Sequence, residues 1–77
     1  MLHYFFPLGV AIVLQNLMAV ELEAGNAQVA LQLAERTLMI NEREFGPDHR
    51  EVASSILNLG CAYRALTSNW IPEMANP

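Results

Sequence analysis

Lysine is missing from this chain, and cysteine and tryptophan occur once each. Four arginines stand against eight acidic residues, a formal charge of -4, so no basic stripe exists to neutralise phosphates and a nucleic-acid partner is not expected. The acidic balance reads as a solvated surface. Cys61 has no second cysteine to pair with, which fits a reducing compartment and makes a cytoplasmic location the expectation. Its place within an apolar helical pattern reads as a small core position. No glycine-rich phosphate loop and no Asn-x-Ser/Thr glycosylation acceptor is present.

A clean hydrophobic run of membrane-spanning length is lacking too. The segment from Tyr4 to Val20 is apolar, but Pro7, Gly9, Gln15 and Asn16 interrupt it, short of the roughly 20 apolar residues a span needs. No Lys or Arg precedes it, and no small-x-small cleavage site follows before Glu21, so a signal peptide is also disfavoured. A membrane anchor built on residues 4–20 stays as an alternative.

What the chain does have is apolar mass. Of its 77 residues 53% are hydrophobic, in a length that allows one domain and one modest core. Three helices cannot cover that much apolar surface. Either neighbours cover the remainder, with self-association through exposed helix faces as one outcome, or the chain is part of something longer.

Punctuation by glycine and proline divides the chain into three helices. Residues 1–7 read as a lead-in, with Pro7 at a first-turn position, followed by a helix over about 8–24 that Gly25-Asn26 closes. A second helix spans about 27–44, rich in Ala, Leu, Gln and Glu, with an apolar stripe of Val29, Ala30, Leu33, Leu38 and Ile40. Phe45-Gly46-Pro47-Asp48-His49 is the break. Asp48 is the expected cap of the third helix, with Glu51 at capping-box spacing, and Phe45 is expected to plug the hairpin beneath the turn. The third helix runs over about 49–66, with an apolar stripe of Val52, Ile56, Leu59 and Tyr63. Its small residues Ala53, Gly60, Cys61 and Ala62 leave room for a close helix neighbour. Residues 67–77 read as an irregular tail, with Trp70 covering the end of the third helix.

Moving the chain 42 positions along itself lays Val10, Ala11, Asn16 and Leu17 on Val52, Ala53, Asn58 and Leu59, with Leu14 on Ile56 and Ala19 on Cys61. A period within about 20–50 residues marks stacked repeats. The run Ala-Leu-x-Leu-Ala-Glu-Arg-x-Leu-x-Ile from Ala30, then Phe45-Gly46-Pro47-Asp48-His49, Glu51-Val52-Ala53 and Leu57-Asn58-Leu59-Gly60-x-Ala62-Tyr63, resembles tetratricopeptide repeats of the kinesin-light-chain and nephrocystin type. The resemblance covers roughly residues 7 to 66. It implies an all-α helical repeat fragment, one helical hairpin plus the first helix of the next repeat, with right-handed stacking. Repeat one departs from the pattern at Met18, where a small residue is preferred, and at Glu21, where an aromatic is, which suits looser packing or a terminal repeat. From Thr67 the pattern fails, with Pro72 where a second helix belongs.

The function implied is a protein–protein interaction scaffold holding a peptide or partner helix on a concave face. Asn16 and Asn58 occupy equivalent first-type helices, where repeats of this kind place asparagines that bond the backbone of an extended peptide. Amides suit that task by offering both donor and acceptor. The alternative, which the residues alone favour slightly, is that both asparagines brace helices or face water. Read as a whole, the chain is either such a scaffold or a non-autonomous piece of a longer solenoid.

Catalytic constellations are absent from the pattern. Cys61 and His49 lie about 18 Å apart along one helix, too far for a nucleophile and its base. His3 and His49 lack metal-ligand spacing, and Glu42, Glu44, Asp48 and Glu51 alternate with Arg43 and Arg50 as a solvated cluster. No enzyme, metal or cofactor is expected.

Overall fold

The computed structural model describes the backbone of residues 2–70 and the side chains of residues 7–67. The expectations for Met1, for the side chains of His3 and Trp70, and for residues 71–77 lie outside that range.

Three helices follow one another: α1 (Leu2–Glu23), α2 (Ala27–Phe45) and α3 (Arg50–Trp70). α2 packs extensively against both neighbours. The described residues contain no strand. An all-α helical hairpin followed by the first helix of a second pair is therefore the architecture.

Helix α1 begins at Leu2 rather than near residue 8, so Pro7 sits inside it. A proline there removes one donor from the helical ladder and costs about 3 kcal/mol relative to a good helix former. The helix ends in a Schellman arrangement. Gly25 takes the left-handed conformation at φ 86, the Gly25 N–H donates to the Leu22 carbonyl at 3.1 Å, and the Asn26 N–H donates to the Glu21 carbonyl at 2.8 Å. Asn26 Nδ2 adds a bond to Glu21 Oε1 at 2.7 Å. The polar pair replaces the apolar contact that often accompanies this motif.

The core is made of small residues. Met18, Ala30, Ala34 and Ala62 form its centre, with Leu22, Leu31, Leu33 and Leu59 packed partly buried around them. Alanine at the contact lets helix axes approach closely, and the longer side chains close the flanks. The α2 stripe is accordingly shifted from the expected one. Ala27, Ala30, Ala34, Thr37 and Asn41 are buried, whereas Val29 is exposed and Leu33, Leu38 and Ile40 are half-buried. Polar burial is satisfied locally: the Thr37 hydroxyl donates to the Leu33 carbonyl at 2.9 Å.

Helix α3 shows the same displacement. Val52, Ser55 and Ala62 are buried and Leu59 half-buried, while Ile56 and Tyr63 of the expected stripe are exposed. Only the side facing α2 is covered. Cys61, expected in the core, is exposed, as are Ala53 and Gly60. A Cβ placed on Gly60 would meet nothing within 4 Å, so no close neighbour within this chain explains that glycine.

The cap of α3 is His49 rather than Asp48. The Glu51 N–H donates to His49 Nδ1 at 3.0 Å, and the His49 carbonyl accepts from the Val52 and Ala53 N–H groups at 3.0 and 3.2 Å. Asp48 is exposed, one residue too early to reach the first turn. Gly46, at φ 88, closes α2 through its N–H to the Glu42 carbonyl at 3.0 Å. Phe45 is at the rim rather than beneath the turn, its ring stacked on His49 with centroids 4.4 Å apart and planes inclined by 21°.

Candidate interaction surface

The first turns of α3 and the last turns of α2 meet α1 around an open cleft of about 220 Å³. Its walls are Leu8, Ala11 and Ile12 of α1 and Phe45 of α2, and its polar groups are Gln15, Asn41 and Glu51. Ala11 and Asn41 are buried, Gln15 and Phe45 are exposed, and Glu51 is half-buried, so the cleft has a closed floor and a solvated rim.

Asn41 defines that floor. Its Nδ2 donates to Ser55 Oγ at 2.7 Å across the α2–α3 contact, and Ser55 Oγ donates in turn to the Glu51 carbonyl at 2.9 Å. That bond uses one of the two Asn41 amide N–H groups and leaves its carbonyl oxygen as an acceptor in the lining of the cleft. Both residues are almost fully buried, and among the described residues no buried side-chain polar atom is left without a partner. The sequence signal for this pair was available only as two polar residues falling on otherwise apolar faces. Nothing in either helix alone says that they meet.

Asn16 and Asn58 do not line the cleft. Asn16 is exposed on α1 beside Gln15, which does line it, and Asn58 is half-buried on α3. Seven residues separate Asn58 from Glu51, so the two share one side of α3 about 10 Å apart along the axis. The cleft and Asn58 thus lie along the same side of that helix. Gln32 on α2 is exposed.

No group of three His, Cys, Asp or Glu side chains among the described residues could hold a metal ion. His49 is engaged in capping and stacking, and Cys61 faces solvent further along α3. Glu42, Arg43, Asp48 and Arg50 are exposed around the turn, and Glu44 and Glu51 are half-buried. Among the described residues no helix is long and apolar enough to cross a membrane, which removes support from an anchor at residues 4–20 for the part of that segment described.

A helical hairpin followed by a helix that repeats the first at a 42-residue offset defines a helical-repeat protein. A family model described as Tetratricopeptide repeat matches residues 9–69, and the chain belongs to that family. No curated protein and no solved structure matches it. Tetratricopeptide repeats mediate protein–protein interaction.

Proposed function

We propose that this chain binds a partner protein by holding an extended peptide on the α1–α3 side of the hairpin, in the manner of kinesin-light-chain and nephrocystin-type repeats. Asn16 and Asn58 grip the peptide main chain one repeat apart, and the cleft receives an apolar side chain of the same peptide. The observation that carries this reading is the arrangement of Asn58 and Glu51 on one side of α3. It aligns an amide offering donor and acceptor with a cleft whose walls are apolar and whose floor presents an acceptor. A peptide lying there meets both. Catalysis has no part in the reading.

The test is titration calorimetry on the full chain with a peptide selected against it from a random extended-peptide library. Asn58→Ala removes a bond of about 0.5–1.5 kcal/mol and should weaken the peptide several-fold with helicity unchanged. Gln32→Ala, on the outer helix, should leave affinity as it was. Unchanged affinity in Asn58→Ala and Asn16→Ala together would refute the reading.

A second reading, a non-autonomous piece of a longer solenoid, is favoured by one observation. Val10, Ile12, Val13, Leu17 and Val20 on α1 and Ile56, Leu57 and Tyr63 on α3 are large apolar side chains open to solvent. Flanking coding sequence that continues the 42-residue pattern is what it requires.

A further inference from the structure

The cleft at the end of the hairpin carries a single formal charge among its described residues. Its walls are aliphatic apart from Phe45, Gln15 and Asn41 are neutral amides, and Glu51 is the charged residue. At about 220 Å³ it falls below the roughly 300–1,000 Å³ of small-molecule pockets and has the size of one side chain. Glu51 is held from both sides of its main chain. Its N–H donates to His49 Nδ1 at 3.0 Å, and its carbonyl accepts at 2.9 Å from Ser55 Oγ, the same hydroxyl that accepts from Asn41. Glu51 and the Asn41 amide therefore share one hydrogen-bonded frame, organised before any ligand arrives. Arg43 and Arg50, the cations nearest in sequence, are exposed and do not line the cleft.

We propose that this cleft is an arginine subsite: the side chain that the bound peptide sends into it is aliphatic along its stem and ends in a guanidinium paired with Glu51. The proposal rests on the peptide-binding reading and narrows which peptides it admits. The stem lies along Leu8, Ala11 and Ile12, as long cationic side chains do on apolar surface. The forked N–H donors of a guanidinium serve a carboxylate and an amide oxygen together, which a point charge on an ammonium matches less well. Phe45 adds an aromatic ring to the wall, a surface on which guanidinium packs favourably. A wholly apolar occupant would take water from the half-buried Glu51 and give it no partner, and an acidic one would be repelled. The formal charge of -4 draws cationic peptides toward the chain as a whole.

The probes are Nα-acetyl-arginine methylamide and its citrulline and norleucine analogues, titrated onto the full chain and followed by NMR shifts of the side-chain amides. The arginine probe should move the Gln15 and Asn41 signals and bind more tightly than citrulline, which has nearly the same shape without the charge. Glu51→Gln should weaken the arginine probe by about fivefold, the upper range for an ion pair open to water on one side. Gln15→Glu, at the exposed rim, should tighten it, a gain that damage to the fold does not produce. Glu42→Gln removes the same charge from an exposed α2 position outside the cleft and should leave the arginine probe unaffected. Equal binding of the arginine and citrulline probes, equal losses in Glu42→Gln and Glu51→Gln, or shifts that bypass Gln15 and Asn41 overturn the subsite. An arginine probe that fails while the library-selected peptide still depends on Asn58 refutes the subsite alone. A selected peptide indifferent to Asn16 and Asn58 refutes the main-chain grip and leaves these titrations as they stand.

Discussion

Asn41 Nδ2 donates to Ser55 Oγ at 2.7 Å, a side-chain bond between α2 and α3 buried from solvent at both ends. Because the Ser55 hydroxyl donates its own hydrogen bond to the Glu51 carbonyl, one hydroxyl ties two helices and the first turn of α3 into a single chain of bonds. Linear patterns of apolar residues place neither group in a core. Their burial is tolerable only because each satisfies the other.

Ser55→Ala should therefore destabilise the chain by about 1–3 kcal/mol, the cost of a buried amide left without its acceptor. Urea denaturation followed by circular dichroism measures it. Asn41→Leu combined with Ser55→Ala should recover part of that loss, since both ends of the bond are then apolar. A double variant no more stable than the sum of the singles would show that the bond is not the coupling.

Histidine, not aspartate, starts α3. His49→Ala should cost about 0.5–2 kcal/mol through loss of the Nδ1 acceptor for the Glu51 N–H. Loss of the ring stacked on Phe45 adds to it. Asp48→Ala, one residue earlier and exposed, should stay within about 0.5 kcal/mol of the parent. Equal losses in the two variants would return the cap to Asp48.

Gly60→Ala should stabilise the isolated chain by about 0.5–1 kcal/mol. The added methyl meets nothing within 4 Å, and the substitution removes the entropic cost of a helical glycine. A melting midpoint that falls would mean that a neighbour, another chain included, already packs on Gly60.

Gly25→Ala should act in the opposite direction despite equally open space around it. At φ 86 an alanine Cβ crowds the following carbonyl, with a penalty of about 1–2 kcal/mol. Thermal denaturation of the two glycine variants side by side distinguishes backbone conformation from space.

The three helices, the two breaks and the repeat offset were legible in the residues themselves. Helix formers between Ala27 and Phe45, glycine at 25 and 46 and proline at 47 act through local backbone preferences, which need no knowledge of the rest of the chain. Boundaries were less legible. Pro7 is the kind of residue that starts helices, yet α1 continues through it to Leu2, and His49 supplied an acceptor in place of the commoner Asp48.

Which apolar residues would be core was decided by the tertiary structure. Val52, Ile56, Leu59 and Tyr63 make a regular stripe, but burial follows the side that α2 happens to cover, and that side runs through Val52, Ser55, Leu59 and Ala62. A helix's periodicity says that a face exists and not how many faces have partners. The candidate site divides in the same way. Asn16 and Asn58 stand out because a repeat is a linear pattern, whereas Asn41, Ser55 and the cleft above them exist only because three helices, distant in sequence, come together at one end of the hairpin. Local propensity is a property of adjacent residues, and a buried hydrogen bond between residues 41 and 55 is a property of the packing that brings them within 2.7 Å.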